Sequence, residues 1–265
     1  MHGLWKPVLT RWNVAVATAG LVVAIVVMRL VVDALSLEFV TPGPLLTSTI
    51  AGGIFVTGLI VAGTLADYKE SERMPAEITA ALDNIHEDAS SIKATKAEFD
   101  LANLQARLRE VVATFRRDLS DPASRTCLNA FNDLSGSFLE LERLEVPPNY
   151  IVRLRTEQGI VRRNVLRIYH MQGTEFLPSA YILVQSIVAL IIAALIFAKI
   201  EPGYEAAVLV VMISYFFIYL VKLLKILDTP FRPGTHTMDD VSLFLLREFS
   251  AGLGDATGGD QAPTG

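Results

Sequence analysis

The residues that could do chemistry are four histidines, one cysteine and several pairs of carboxylates. No histidine stands at ligand spacing from another histidine or from Cys127, so the sequence predicts no metal site. No serine lies in a nucleophile-elbow context, and carboxylate pairs such as Glu70 with Glu72 fall on polar helix faces, where solvated charge explains them. We therefore predict no catalytic residue, no cofactor and no enzyme activity.

The apolar residues carry a stronger signal, because they are collected into blocks. The mean hydropathy is +0.43 and 52% of the residues are apolar, although 19% are charged. Three of the four blocks are long enough to cross a hydrocarbon core of about 30 Å as helices, the form that pairs every backbone amide within its own segment, and the fourth is the shortest. The four blocks cover residues 13–33, 45–66, 177–198 and 206–221. The sequence thus predicts an all-α membrane protein with four transmembrane helices in two hairpins.

The chain outside these blocks is polar. We divide the whole chain into a cytoplasmic N-terminus at 1–12, a first transmembrane hairpin at 13–66, a cytoplasmic helical region at 67–174, a second transmembrane hairpin at 175–225, a post-membrane segment at 226–248 and a disordered tail at 249–265. Apolar spacings of three and four predict a helix from Leu101 to Leu119, and prolines bound two more, at about 123–145 and 150–171. The tail is rich in glycine and nearly free of large apolar residues.

The distribution of charge predicts the orientation and the partners. Basic residues flank the blocks on the side of the two termini and the central region, which places all three in the cytoplasm. The outer loops carry Asp33, Glu38, Glu201 and Glu205 against Lys199 alone, an excess that would concentrate cations at a pore mouth. The net charge of −5 argues against a nucleic-acid partner, because no basic stripe is available to neutralise phosphates.

Two features inside the first two blocks suggest specific contacts. Arg29 is the one charge within the first apolar run. An intramembrane charge can mark an ion pathway, but we favour an interfacial arginine paired with Asp33, which follows four residues later on the same face. In the second block, Gly52 and Gly53 predict either close helix packing or a narrow pore wall.

Two short stretches stand at characteristic places. Residues 53–57 read Gly-Ile-Phe-Val-Thr in the second block, and residues 227–234, after the fourth, read Leu-Asp-Thr-Pro-Phe-Arg-Pro-Gly, with Asp228, Pro230 and Phe231. Together with the order of the spans, they resemble the bestrophin superfamily of pentameric ion channels, and most closely its divergent prokaryotic members. The resemblance covers residues 1–248. It implies a homopentamer in a bacterial inner membrane, with membrane lipid and small permeant ions as further partners.

The resemblance also implies where ions would pass. In the family, apolar residues one turn apart on the second span form a narrow hydrophobic neck. Matching through Gly53 places that neck on Leu46, Ile50 and Ile54. Their spacing of four puts them on one helix face, where rings of apolar side chains can gate by dewetting. The hydroxyls of Thr47 and Thr57 would either solvate an ion or bond back to their own helix.

Departures from the family pattern bound the functional hypothesis. The acidic run that follows Pro-Phe in calcium-gated bestrophins is replaced by Arg232-Pro233-Gly234, so calcium activation is not expected. Our leading hypothesis is an oligomeric channel with a slight preference for cations. The alternative is a non-conducting, membrane-anchored scaffold or sensor that binds a partner through its cytoplasmic helices. A secondary transporter ranks third.

Overall fold

The computed structural model describes residues 6–121, 123–174, 178–200, 203–231 and 241–255. Its helices are α1 (Lys6–Ala34), α2 (Pro44–Thr95), α3 (Leu101–Ser120), α4 (Thr126–Arg143), α5 (Pro148–Gly173), α6 (Pro178–Ile196), α7 (Gly203–Asp228) and α8 (Phe244–Asp255). Within the described ranges there is no β-strand, and Val40 and Ala198 form an isolated bridge. The chain divides into two compact units. The membrane unit contains Met1–Tyr68 and Glu175–Thr229, and the second unit contains Lys69–Thr174, Pro230–His236 and Asp240–Gly265.

The helices of the membrane unit confirm the predicted all-α membrane architecture. α1, α2, α6 and α7 each contain a stretch long and apolar enough to cross a bilayer. The sequence analysis ended the second block at residue 66, but α2 continues to Thr95 and contains 52 residues. At a rise of about 1.5 Å per residue it is about 78 Å long. No glycine follows residue 66 in α2, and Pro75 does not end the helix.

The core of the membrane unit is built mainly from α6 and α7. Its buried residues are Val184, Val188, Ile191, Leu195, Val210, Phe217 and Leu224. α2 meets this core at Gly53, where an added Cβ would lie 2.5 Å from Ile191 Cδ1 and 3.0 Å from Ile187 Cγ2. A glycine fits there without moving a neighbour, so close packing of α2 on α6 explains Gly53. At Gly52 the same position is open.

Replacing Gly53 with valine should destabilise the membrane unit, because the branched side chain must displace Ile187 and Ile191. Overpacking of this kind costs about 1–3 kcal/mol. The matched control is Gly52→Val, in the same helix, where nothing lies within 4 Å of the Cβ position. Thermal unfolding of the two variants in detergent should give a lower midpoint for Gly53→Val. Equal midpoints would contradict the close approach of α2 to α6.

The second unit has its own apolar core, to which α2, α3, α4, α5 and α8 contribute. α8 enters it through Leu246 and Leu253, seven residues apart on one helix face. Arg109 Nη1 of α3 also donates a hydrogen bond to the Leu253 carbonyl, at 3.3 Å. Where the sequence predicted disorder from residue 249, α8 therefore continues to Asp255, because its two leucines are buried. Residues 256–265 of the predicted tail lie outside the described residues.

Asp118 ties three helices of the second unit together. It is fully buried near the end of α3 and accepts a 2.5 Å hydrogen bond from Tyr169 Oη of α5. Its carboxylate also accepts from the backbone N–H groups of Thr126 (3.1 Å) and Cys127 (2.9 Å), in the first turn of α4. Arg125, the N-cap residue of α4, makes no side-chain cap bond. Asp118 therefore caps α4 from another helix, in place of a local cap residue.

The hydrogen bonds to Asp118 determine its ionisation. Burial alone would raise the pKa of this carboxyl group, but the bonds from Ser124, Tyr169, Cys127 and Thr126 outweigh the burial and lower the pKa from 3.8 to about 2. At Cys127, burial raises the pKa of the thiol to about 12. A thiol that stays protonated is a poor nucleophile, so Cys127 acts as a small buried apolar residue.

Replacing Asp118 with asparagine should remove part of the acid sensitivity of folding. Because the folded-state pKa of about 2 lies below the ordinary 3.8, the carboxylate stabilises the fold above about pH 4 and loses this effect as the pH falls through 2. The lowering corresponds to about 2 kcal/mol. Melting midpoints between about pH 5 and pH 2 should therefore fall less steeply for Asp118→Asn. Asp133→Asn, at an exposed aspartate, is the control; a slope equal to that of the unmodified chain would contradict the assignment.

Candidate functional site

The candidate site is the face of α2 that the rest of the membrane unit leaves uncovered. Residues 46, 50, 53, 57, 60, 61 and 64 of α2 are buried or half-buried. The other side exposes large apolar side chains: 85% of Leu45, 71% of Phe55 and 65% of Leu59. No charged residue occurs between positions 45 and 66. The membrane unit therefore presents an uncharged, apolar α2 face to whatever lies beside it.

The three predicted neck residues run from the packed side of α2 to the edge of its exposed face. Ile54 is 45% exposed. Leu46 and Ile50 are half-buried, and Ile50 packs against the core of the membrane unit. Because a helix turns about 100° per residue, each step of four residues advances by about 40° around the axis. The trio therefore winds from the packed side of α2 towards its exposed side.

The two predicted polar residues differ in their surroundings. Thr47 is exposed, and its Oγ1 donates a 3.3 Å hydrogen bond to the Gly43 carbonyl, one turn earlier in the chain. Thr57 is fully buried, and its Oγ1 has no hydrogen-bond partner among the described residues. The structure thus gives Thr47 the local backbone bond that the sequence left as one of two alternatives. Thr57 lies inside its own membrane unit rather than on the exposed face of α2.

Arg29 joins the two hairpins at the ends that carry their connecting loops. It is 2% exposed; its Nη1 donates a 2.9 Å hydrogen bond to the Ile196 carbonyl at the end of α6, and its Nη2 pairs with Glu38. The predicted partner was Asp33, and this prediction is wrong. Asp33 instead lies beside the first residue of α7, with its Oδ2 3.5 Å from the position of a Cβ at Gly203. A carboxylate is favoured at that helix N-terminus by the helix dipole.

Backbone hydrogen bonds strengthen this junction, which we call the loop clasp: Arg29, Glu38 and the segments 39–40 and 196–199. The N–H groups of Phe39 and Val40 donate to the Phe197 carbonyl, at 3.2 and 3.0 Å, and the Lys199 N–H donates to the Val40 carbonyl at 2.8 Å. The rings of Phe39 and Phe197 lie 5.0 Å apart. The connecting loops of the two hairpins are therefore held together by main-chain and side-chain contacts.

The predicted post-membrane motif divides between the two units. Asp228 is the last residue of α7. Pro230 and Phe231 are buried in the second unit, where the Phe231 carbonyl accepts a 3.1 Å hydrogen bond from Gln172 Nε2 and the Pro230 carbonyl accepts one from the Val241 N–H, also at 3.1 Å. The segment 232–240, which carries the departures from the calcium-gated pattern, lies outside the described residues. Among those described, no group of three His, Cys, Asp or Glu side chains is placed to hold a metal ion.

Solved structures share this architecture over nearly the whole chain. A bacterial bestrophin homolog from Klebsiella pneumoniae gives a TM-score of 0.76, covering 94% of this chain and 100% of the other at 15% identity. A point mutant of a bacterial bestrophin homolog from the same organism gives 0.73 over 93% and 98%, also at 15%. A variant of a membrane protein gives 0.79 over 92% and 99%, at 13%. The chain has the bestrophin fold.

The bestrophin fold confirms the resemblance drawn from residues 53–57 and 227–234. No family model matches the chain, and no curated protein matches its sequence. At 13–15% identity, the likeness to the solved structures establishes the fold alone. The chain is accordingly a bestrophin-like integral membrane protein with four membrane-spanning helices.

Sequence reasoning missed Glu38 as the partner of Arg29. The signal was a lone arginine near the end of an apolar block, followed by an acidic loop. Helical spacing favoured Asp33, but Ser36 adopts a positive φ of 49°, which turns the chain and returns Glu38 to Arg29. A buried arginine needs a carboxylate, but only the loop conformation decides which one.

Replacing Glu38 with glutamine should destabilise the membrane unit strongly, because it leaves a buried guanidinium without its counter-charge. Breaking a buried ion pair in this way costs about 3–5 kcal/mol. Asp33→Asn is the matched control, since Asp33 is exposed and does not pair with Arg29. Thermal unfolding in detergent should give a clearly lower midpoint for Glu38→Gln than for Asp33→Asn. The reverse order would restore Asp33 as the partner.

Proposed function

We propose that this chain forms a homo-oligomeric ion channel, most simply a pentamer, in a bacterial inner membrane with both termini in the cytoplasm. The observation that carries the proposal is the bestrophin fold, with an exposed and uncharged face on α2 between residues 45 and 66. Copies of this face around an axis would form an apolar wall. Closed rings are the usual form of membrane and soluble homo-oligomers, and they produce such an axis.

The narrowest part of the pathway, in this proposal, is a hydrophobic neck formed by Leu46, Ile50 and Ile54. A pore-lining side chain is exposed in a single copy, and Ile54 at 45% meets this condition. Leu46 and Ile50 meet it in part, because each is half-buried. Apolar rings of this kind exclude water when narrow and conduct when they widen, so a small movement of α2 would gate the channel.

The outer loops support a slight preference for cations. Asp33 and Glu205 are exposed. Glu38 pairs with Arg29, so the acidic excess at the mouth is one charge smaller than the outer loops alone suggest. Glu201 lies outside the described residues. The remaining negative charge would raise the local concentration of cations and so favour their entry.

The test is the current through purified protein in a planar bilayer under a potassium chloride gradient. Steady current with a reversal potential displaced towards that of potassium would support a cation-preferring channel. Ile54→Ala and Ile50→Ala should increase the current, because a smaller side chain widens the neck and weakens dewetting. Leu190→Ala, which truncates a 68% exposed side chain on α6, is the control and should leave the current unchanged.

Three outcomes would contradict parts of this proposal. An unchanged current in both isoleucine variants, with a change in Phe55→Ala, would move the neck to the most exposed side of α2. Particles with one or two copies would remove the central pore. Silent but well-folded oligomers would favour the alternative function, a scaffold or sensor. Val152 and Leu166 of α5, 64% and 44% exposed, offer apolar surface for the partner that this alternative requires.

A further inference from the structure

One face of α7 forms an exposed stripe that the channel proposal does not use. Val208, Met212, Tyr215, Tyr219 and Lys222 recur at intervals of three or four residues and so share this face. The exposed fractions are 54% for Val208, 65% for Met212, 38% for Tyr215 and 36% for Tyr219. The rings of the two tyrosines stack, with centroids 6.0 Å apart. The membrane unit therefore leaves this stripe open to lipid or to another molecule.

The side chains along the stripe change from charged to polar to apolar, as the groups of a phospholipid do from its phosphate to its acyl chains. Lys222 offers an ammonium group, the two tyrosines offer hydroxyl groups on aromatic rings, and the remaining two residues are apolar. Lys222 and Val208 are 14 positions apart in the sequence. At about 1.5 Å per residue this is about 21 Å along the helix. One leaflet, from the headgroup region to the midplane, measures about 20–22 Å.

The end of the stripe at Lys222 is positively charged. Lys222 is half-buried, and Lys225, one turn further along α7, is exposed. Neither lysine forms an ion pair with any described residue. Unpaired lysines beside the end of a membrane span attract anionic headgroups. A second copy of the same stripe would instead bring like charges together if the two faced each other about a two-fold axis.

We propose that this stripe binds one anionic phospholipid. Lys222 and Lys225 hold its phosphate, the hydroxyl groups of Tyr219 and Tyr215 donate hydrogen bonds to its phosphate and ester oxygens, and an acyl chain lies along Met212. Tyrosine suits this place, because its ring is apolar and its hydroxyl group is a donor. The site depends on the membrane location of α7 and not on conduction, so a failure of the channel proposal would leave the lipid site unaffected.

The experiment uses the full chain, purified in detergent and titrated with phosphatidylglycerol or with phosphatidylcholine of the same acyl chains. Phosphatidylglycerol should raise the melting midpoint more than phosphatidylcholine. The variant Lys222→Gln with Lys225→Gln should bind phosphatidylglycerol roughly 30-fold more weakly, because each lysine near a membrane surface contributes slightly more than about fivefold. Tyr219→Phe, which keeps the ring, should lose part of the shift. Lys199→Gln, at the other end of the membrane unit, should keep it all.

Several results would overturn the assignment. Equal shifts with the two lipids would remove the preference for an anionic headgroup. A phosphatidylglycerol shift that survives the loss of both lysines would place the lipid elsewhere. A shift of the same size with glycerol phosphate alone would show that no acyl chain is needed. Efficient disulfide cross-linking between copies through Tyr219→Cys would put a second copy on this face; Cys127 does not interfere, because it is buried.

Discussion

No backbone amide can remain unpaired in hydrocarbon, and this constraint shapes the whole membrane unit. It makes the four spans helical and moves every irregular segment to the helix ends. There the last carbonyl groups of each helix still need donors. At the end of α6 the Arg29 guanidinium supplies one, at the Ile196 carbonyl. A buried guanidinium needs a counter-charge in turn, so Glu38 is drawn in and the loop between α1 and α2 is fixed beside that between α6 and α7.

In the second unit a helix N-terminus needs acceptors, and a buried negative charge supplies them. The first N–H groups of α4 have no partner in their own helix, and Asp118 of α3 accepts from two of them. A carboxylate suits a helix N-terminus, as a guanidinium suits a C-terminus, because each opposes the partial charge of the helix end. In both units one buried charged residue connects helices that are distant in the sequence. The apolar cores supply most of the burial, and these residues determine how the helix ends meet.

The four spans were predictable because each is an apolar block with at most one charge inside it and the bilayer sets its length. The continuation of α2 to Thr95 was not predictable. The change from apolar to charged residues at Asp67 marks a change of solvent, but the helix continues through it. α8 was not predictable either. The second half of its segment is small and polar apart from Leu253, and the helix is ordered by two leucines that bury against α3 and its neighbours.

For the candidate site, sequence spacing identifies a helix face but not what covers it. Leu46, Ile50 and Ile54 share a face by their spacing of four, yet Ile50 packs against residues of α6 and α7 that lie more than a hundred positions later in the chain. The chain therefore has to be folded before the covered side of α2 is known. Gly53 is the exception, because the glycine already offered close packing as one of two alternatives, and the structure supplies the neighbours, Ile187 and Ile191.

The loop clasp has a mechanical consequence. It fastens the hairpin of α1 and α2 to the hairpin of α6 and α7 at one end, through backbone bonds that resist sliding. Because the two hairpins are joined at one end, this joint acts as a pivot, and the largest displacement occurs at the opposite ends of the spans. α2 and α6 would therefore separate least beside Arg29 and most beyond Gly53. A change in the thickness of the surrounding bilayer would therefore act on these opposite ends and leave the joint unchanged.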